Sequence, residues 1–146
     1  MSGISAAPEI ALIEESVENA NARIRFFRIA YGVASPGQSI PQSEVHQIIG
    51  DLTRGGRLSY RWQVDAPLER SRVKLAFLVM QCMESAMPFG GEVTVAGSSG
   101  PWTLTGTADR VKIDTELWAL LVDPAQSAEI TPAHVQFALV GDLSRI

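Results

Sequence analysis

Cysteine and histidine can act as nucleophiles or proton carriers, and this 146-residue sequence has one cysteine, Cys82, and two histidines, His46 and His134. Cys82 lies in the apolar run LAFLVMQCMESAM, where a buried thiol is the expected state; a nucleophilic cysteine needs an electropositive, partly exposed position. Neither histidine has a second His or Cys at a metal-ligand spacing, so we expect no metal site. Each histidine is expected to face solvent or lie beside the core, with proton or phosphoryl transfer as the alternative.

Nucleotide-binding and hydrolase motifs are missing from the sequence. There is no GxxxxGK followed by Ser or Thr and no GxSxG, and the glycine cluster FGGEVTVAGSSG follows a predicted helix rather than a strand. Gly90 and Gly91 are therefore expected to end that helix and turn the chain into the next strand. Three acidic residues show no pairing that indicates a catalytic site: Asp109, Asp114 and Asp123.

The composition is that of a soluble globular domain, alone or with a helical appendage. The chain is 46% hydrophobic and 19% charged, with a net charge of -4 and a single cysteine. This balance gives no broad cationic surface, so neither nucleic acid nor an anionic membrane is expected as the main partner. The sequence has no signal-peptide pattern and no apolar window of about 18 to 20 residues, which favours a cytoplasmic location.

The strongest periodic signal lies near the N-terminus and predicts a helix from Pro8 to Tyr31. Apolar residues alternate at spacings of three and four, which is a heptad seam. The seam comprises Ile10, Ile13, Val17, Ala20, Ile24, Phe27 and Tyr31. A helix this apolar at the end of a chain favours packing against partner helices over packing on its own domain alone.

A stretch rich in Gly, Pro and Ser, GVASPGQSIPQ, follows this helix and predicts a linker with a domain boundary near residue 37. The rest of the chain is predicted to contain both helices and strands. Hydrophobic periodicity and turn residues indicate the element types. The predicted elements are a short helix around 45–52, a strand at 58–64, a helix at 71–86, strands at 92–96 and 102–107, a short helix at 115–121 and a last helix that contains His134.

Two stretches resemble a known family. FFRIAYGVAS, residues 26–35, resembles the end of the second hairpin helix in ChpT-type bacterial histidine phosphotransferases. Residues 75–96 resemble both that family and the asparagine-box region of histidine-kinase ATPase domains. The resemblance implies an α+β fold, with the second helix of a dimerisation hairpin in 1–37 and an incomplete GHKL or histidine-kinase-ATPase-like α/β sandwich in 38–146.

The resemblance also implies a function. Such proteins are homodimers whose hairpins form a four-helix bundle, and a histidine on the first helix, usually followed by Asp, passes a phosphoryl group between receiver domains of two-component signalling proteins. No His-Asp pair occurs here, and the sequence begins at what resembles the inter-helix loop and stops at GDLSRI, before an expected last strand. We therefore expect a chain shortened at both ends, without the phospho-accepting helix and without a catalytic residue of its own.

ATP binding is not expected, and neither is any other cofactor. Where kinase domains carry asparagines for magnesium and phosphate, this sequence has Gln81 and Ser85, with Glu84 between them, and Asp109-Arg110-Val111 stands at the DxGxG position. The absence of these ATP-binding residues is a further resemblance to the phosphotransferase family, in which the kinase-like domain serves as a docking platform.

Three functional hypotheses remain open. The first is a phosphorelay histidine phosphotransferase, and the second is a non-catalytic dimeric module that docks receiver domains. A receiver contact is predicted at Arg25, Phe26 and Ile29. The arginines near the end of the helix could equally serve only to complement the helix dipole; they are Arg23, Arg25 and Arg28. The third is a small-molecule enzyme that uses Glu84, Asp109 or His134.

Overall fold

The computed structural model describes residues 3–54, 56–113, 115, 118 and 119, and within them it shows helices packed beside a small mixed sheet. The elements in chain order are α1 (Gly3–Tyr31), α2 (Gln42–Thr53), β1 (Leu58–Val64), α3 (Arg70–Ala86), β2 (Gly91–Gly97) and β3 (Thr103–Thr107).

The sheet has the order β1-β2-β3. β1 and β2 run parallel, with Leu58 opposite Gly91 and Val64 opposite Gly97, while β3 lies antiparallel to β2. Two parallel strands need a long crossover between them, and α3 provides it. After α3 the chain turns at Gly90, whose φ of 102° lies in the region that favours glycine, as the Gly-Gly pair predicts.

The core lies between the helices and one face of the sheet. Along β1 the buried residues Leu58, Trp62 and Val64 fall on every second position, so only one face of the strand is covered. Buried residues of α2 recur at helical spacing: Val45, Ile48, Ile49 and Leu52. Phe77 of α3 is fully buried and touches Trp62 edge to face, with ring centroids 5.9 Å apart.

The C-terminal half of α1 packs into this same core. Its buried residues are Ala22, Phe26, Ile29 and Ala30. The ring of Phe26 stacks on that of Phe77, with centroids 4.4 Å apart. The spacing of four, three and one puts these four side chains on one side of the helix, so this side faces the domain.

Polar side chains hold the ends of two helices at this contact. Asn19 donates to the carbonyl oxygens of Asp51 and Leu52 at the end of α2, both at 3.3 Å. Lys74 Nζ donates to the carbonyl oxygens of Ala30 and Gly32 at the end of α1, at 2.7 and 2.9 Å. These carbonyls have no partner within their own helix, and the two side chains satisfy them.

The α+β class predicted from the sequence is confirmed, and the described elements lie within a few residues of their predicted ranges. One boundary was wrong: α1 begins at Gly3 rather than at Pro8, which lies inside the helix. Proline removes a single backbone donor there, and the helix continues on both sides of it.

Some predictions stay predictions. The described residues contain three strands, and the GHKL-like sandwich and the division into 1–37 and 38–146 are not decided by them. Of the predicted short helix at 115–121, only residues 115, 118 and 119 are described. The last predicted helix, with His134, lies outside the described residues, as does Asp114. None of the described helices has a stretch long and apolar enough to cross a bilayer.

The Phe26–Phe77 stack predicts a large stability effect. Phe26→Ala should lower the free energy of unfolding by about 3–5 kcal/mol, because it leaves a cavity against Phe77. Urea unfolding followed by circular dichroism measures this. Phe89→Ala is the matched control, since Phe89 is 76% exposed and its loss should change stability by less than about 0.5 kcal/mol. Equal effects of the two variants would contradict the packing of α1 on the core.

Candidate functional site

The predicted seam of α1 lies on the surface of the chain. Ile13, Val17 and Ile24 are 63%, 53% and 51% exposed. The other seam residues are exposed as well: Ile10, Ala20, Phe27 and Tyr31. The seam therefore forms an apolar strip that runs along α1 beside the side that packs on the domain. Large exposed apolar strips on a protein mark surfaces that another molecule covers.

The residues predicted to contact a receiver occupy a different environment. Phe26 and Ile29 are buried in the core, so their side chains are not available to form a contact surface. Arg25 binds the carboxylate of Asp51 at 3.0 Å, and Arg54 binds the same carboxylate. The predicted exposure of Phe26 and Ile29 is wrong, because periodicity alone does not show which of two apolar faces of a helix packs on the domain. A receiver contact at this end of α1 itself stays a prediction.

A polar cluster that the sequence did not predict lies beside the seam. Glu84 of α3 is shared between Arg23 of α1, at 3.4 Å, and Arg57 before β1, at 3.8 Å. With Asn19 and Tyr60, these side chains line a cavity of about 160 Å³. Burial, and then the charge of Glu84, raises the pKa of the Tyr60 hydroxyl, which therefore stays protonated.

The residues at the kinase asparagine positions serve contacts within the protein. The Tyr31 hydroxyl donates to Gln81 Oε1 at 2.6 Å, and Ser85 Oγ donates to the Gln81 carbonyl oxygen at 3.3 Å. Glu84 pairs with both Arg23 and Arg57 as described. The Tyr31–Gln81 and Arg23–Glu84 contacts tie α3 to α1, whereas a magnesium site would need oxygen ligands that converge on one point. The described residues contain no group of three or more potential ligands for a metal ion.

The candidate nucleophiles differ in accessibility. Cys82 is fully buried, and burial raises the pKa of its thiol to about 12. His46 lies on the exposed side of α2, as the sequence predicts. Glu84 and Asp109 line separate cavities, because Asp109 belongs to a larger cleft of about 800 Å³ beside Arg110. The structure therefore does not bring Glu84 and Asp109 into one pocket, and His134, the third residue of the small-molecule-enzyme hypothesis, lies outside the described residues.

Comparison with known families decides the relationship. The model of the histidine phosphotransferase C-terminal domain matches residues 42–145. The chain belongs to this histidine phosphotransferase family. The resemblance to ChpT-type histidine phosphotransferases predicted from FFRIAYGVAS and residues 75–96 is thereby confirmed.

Two individual proteins are similar to this chain. The protein phosphotransferase ChpT of Brucella abortus (strain 2308) is 32% identical over 88 residues, which are 59% of this chain and 42% of the relative. The chain thus spans about two fifths of the length of that curated relative. A bacterial phosphotransferase solved at 1.7 Å superposes with a TM-score of 0.70 at 24% identity, over 96% of this chain and 70% of its own, and shares the fold.

For this member of the histidine phosphotransferase family, Cys82 is predicted to be unreactive in the folded state. With a pKa of about 12, only about one thiol in ten thousand is ionised at pH 8, and burial blocks the reagent as well. A dithionitrobenzoate assay at pH 8 should show no fast reaction in native protein and one thiol per chain in guanidinium. Fast labelling of the native protein would contradict the burial of Cys82.

Proposed function

We propose that this chain acts in a phosphorelay as a histidine phosphotransferase that shuttles phosphoryl groups between receiver domains of two-component signalling proteins. Its family supports the general activity, and its solved neighbour supports the fold. The observation that carries the proposal is the geometry of α1. One side of the helix is fixed to the α/β part by Phe26, and the seam beside it is left for other helices. A cytoplasmic location belongs to the same proposal.

The transfer chemistry sets the requirements. An imidazole nitrogen attacks the phosphorus of an aspartyl phosphate, the P–N bond forms as the P–O bond breaks, and the receiver aspartate leaves as a carboxylate. The second transfer reverses this on another receiver. A receiver would supply a magnesium ion, which would offset charge on the phosphoryl oxygens. The phosphotransferase must therefore present a histidine on an exposed helix and hold the receiver against it.

A homodimer is part of the proposal. The seam residues repeat with a period of 3.5, which suits the interior of a helical bundle in which each copy contributes α1. Burying seven such side chains between copies would remove this apolar strip from water.

Ile24→Asp should convert the dimer into a monomer or an aggregate, because a carboxylate would enter the apolar seam. Light scattering coupled to size exclusion measures the mass. Val33→Asp is the control, since Val33 is 87% exposed and lies beyond the end of α1, and this variant should stay dimeric. A monomeric parent protein at tens of micromolar would refute the proposed dimer.

The alternative function is a non-catalytic module that docks receiver domains. One observation favours it: within the described residues the single histidine, His46, lies on α2, and α1 carries none. A docking module would need the seam and a receiver surface but no exposed imidazole near the receiver aspartate.

Incubation with radiolabelled phosphorylated receiver domains separates the two functions. Transfer predicts acid-labile, alkali-stable label on this chain, and His46→Gln and His134→Gln variants identify the accepting residue. Docking predicts binding by calorimetry without label. Absence of both label and binding across a panel of receivers would refute both functions.

A further inference from the structure

Arginines are concentrated where α1, the end of α2 and the start of β1 meet. Among the described residues, four guanidinium groups there share three carboxylates. The arginines are Arg23, Arg25, Arg54 and Arg57, and the carboxylates are Glu18, Asp51 and Glu84. The whole chain carries a net charge of -4, so this local excess of positive charge does not follow from its composition.

We propose that Arg23, Arg54 and Arg57, here called the arginine band, form a docking surface for an acidic face of the receiver domain. The inference rests on the proposed function, because it names the surface by which the phosphotransferase or docking module holds its partner. It replaces the buried positions Phe26 and Ile29 as the contact near this end of α1.

The accessibility of the band supports this assignment. The side chains of Arg23, Arg54 and Arg57 are 46%, 61% and 65% exposed, whereas that of Arg25 is 31% exposed. Each guanidinium has five donors in a planar fork that matches a carboxylate, and a shared carboxylate cannot saturate two of them. The band therefore retains donors for carboxylates that a partner brings.

The existing ion pairs do not prevent such binding. Arg57 lies 3.8 Å from Glu84, and Arg54 lies 3.7 Å from Glu18, with more than half of each arginine side chain exposed. The Arg54–Glu18 pair, in which both side chains are more than half exposed, contributes little, about 0–1 kcal/mol, so it can yield to a partner's carboxylate. Arg54 also pairs with Asp51, and Arg57 also donates to the carbonyl oxygen of Pro88, but both guanidinium groups keep further donors for a partner. The more buried Arg25–Asp51 pair stays within the protein and positions the end of α2.

The recess inside the band gives the contact a shape. The cavity of about 160 Å³ is bounded by Arg23, Arg57 and Glu84, with Leu52 and Tyr60 among its lining residues. Its size suits one inserted side chain, and its rim carries two positive groups against one negative group. Arg23 directly precedes Ile24 of the seam, so the band borders the surface proposed for the second copy.

Charge reversal tests the proposal in the full chain. The double variant Arg54→Glu/Arg57→Glu should weaken receiver binding at least tenfold, and binding by the parent protein should fall as salt rises from 50 to 300 mM. Arg61→Glu is the matched control: Arg61 is 62% exposed and pairs with Glu92 on the neighbouring strand at 3.0 Å. It should change the affinity by less than twofold. Biolayer interferometry gives the affinities.

The outcomes separate this inference from the proposed function. If the double variant still binds the receiver, the arginine-band proposal is overturned and the proposed function is not. The same holds if Arg61→Glu weakens receiver binding as much as the double variant does. A parent protein that binds no receiver overturns the band together with the proposed function. Loss of binding that accompanies loss of the dimer in light scattering shows that the band serves the second copy, which also overturns it. If the double variant does not fold, the single variants Arg54→Gln and Arg57→Gln are compared with Arg61→Glu instead. Each single variant should weaken receiver binding at least threefold.

Discussion

The attachment of α1 to the α/β part, centred on the stacked rings of Phe26 and Phe77 at 4.4 Å, is the constraint on which the other surfaces depend. A helix with apolar residues on two sides could rotate to bury either one. Because Phe26 fills the space against Phe77, and Ala22 and Ala30 allow close approach of the helix, only one rotation places all of them in the core. That rotation leaves Ile24 and Phe27 exposed.

Polar contacts make this orientation specific in a way that apolar burial alone does not. The last carbonyls of α1 and α2 would lose solvent in the packed state, and each unsatisfied carbonyl would cost about 1–3 kcal/mol. Lys74 and Asn19 provide the missing donors from neighbouring elements. Desolvation by burial lowers the pKa of Lys74, whose Nζ donates to two carbonyl oxygens at the end of α1. These hydrogen bonds therefore oppose a shift of α1 along its axis, in addition to the rotation about its axis that the apolar packing opposes.

Local sequence patterns predict the helices and strands well, but they do not predict which apolar side of α1 is buried or which side chains form the polar cluster around Glu84. Alternation along Leu58, Trp62 and Val64 and the period of α3 depend on neighbours in the chain, so the sequence predicts them well. Phe26 and Phe27 are chemically identical, and only the tertiary fold decides which ring is buried. The same holds for Glu84, whose two arginines lie 61 and 27 positions away in the sequence. Ion pairs of such separation carry no local pattern.

The predicted linker near residue 37 shows the difference between a boundary in sequence and one in packing. The family match begins at residue 42, after α1, yet Phe26 and Ile29 of α1 complete the core around Phe77. Without α1, the buried face of α3 would meet water, so the two regions stabilise each other. The packing of Phe26 on Phe77 and the Arg23–Glu84 pair both hold α1 against α3 across the predicted linker. As a result, the seam and the polar cluster around Glu84 lie side by side, and a partner that contacts both meets residues of α1 and α3 together.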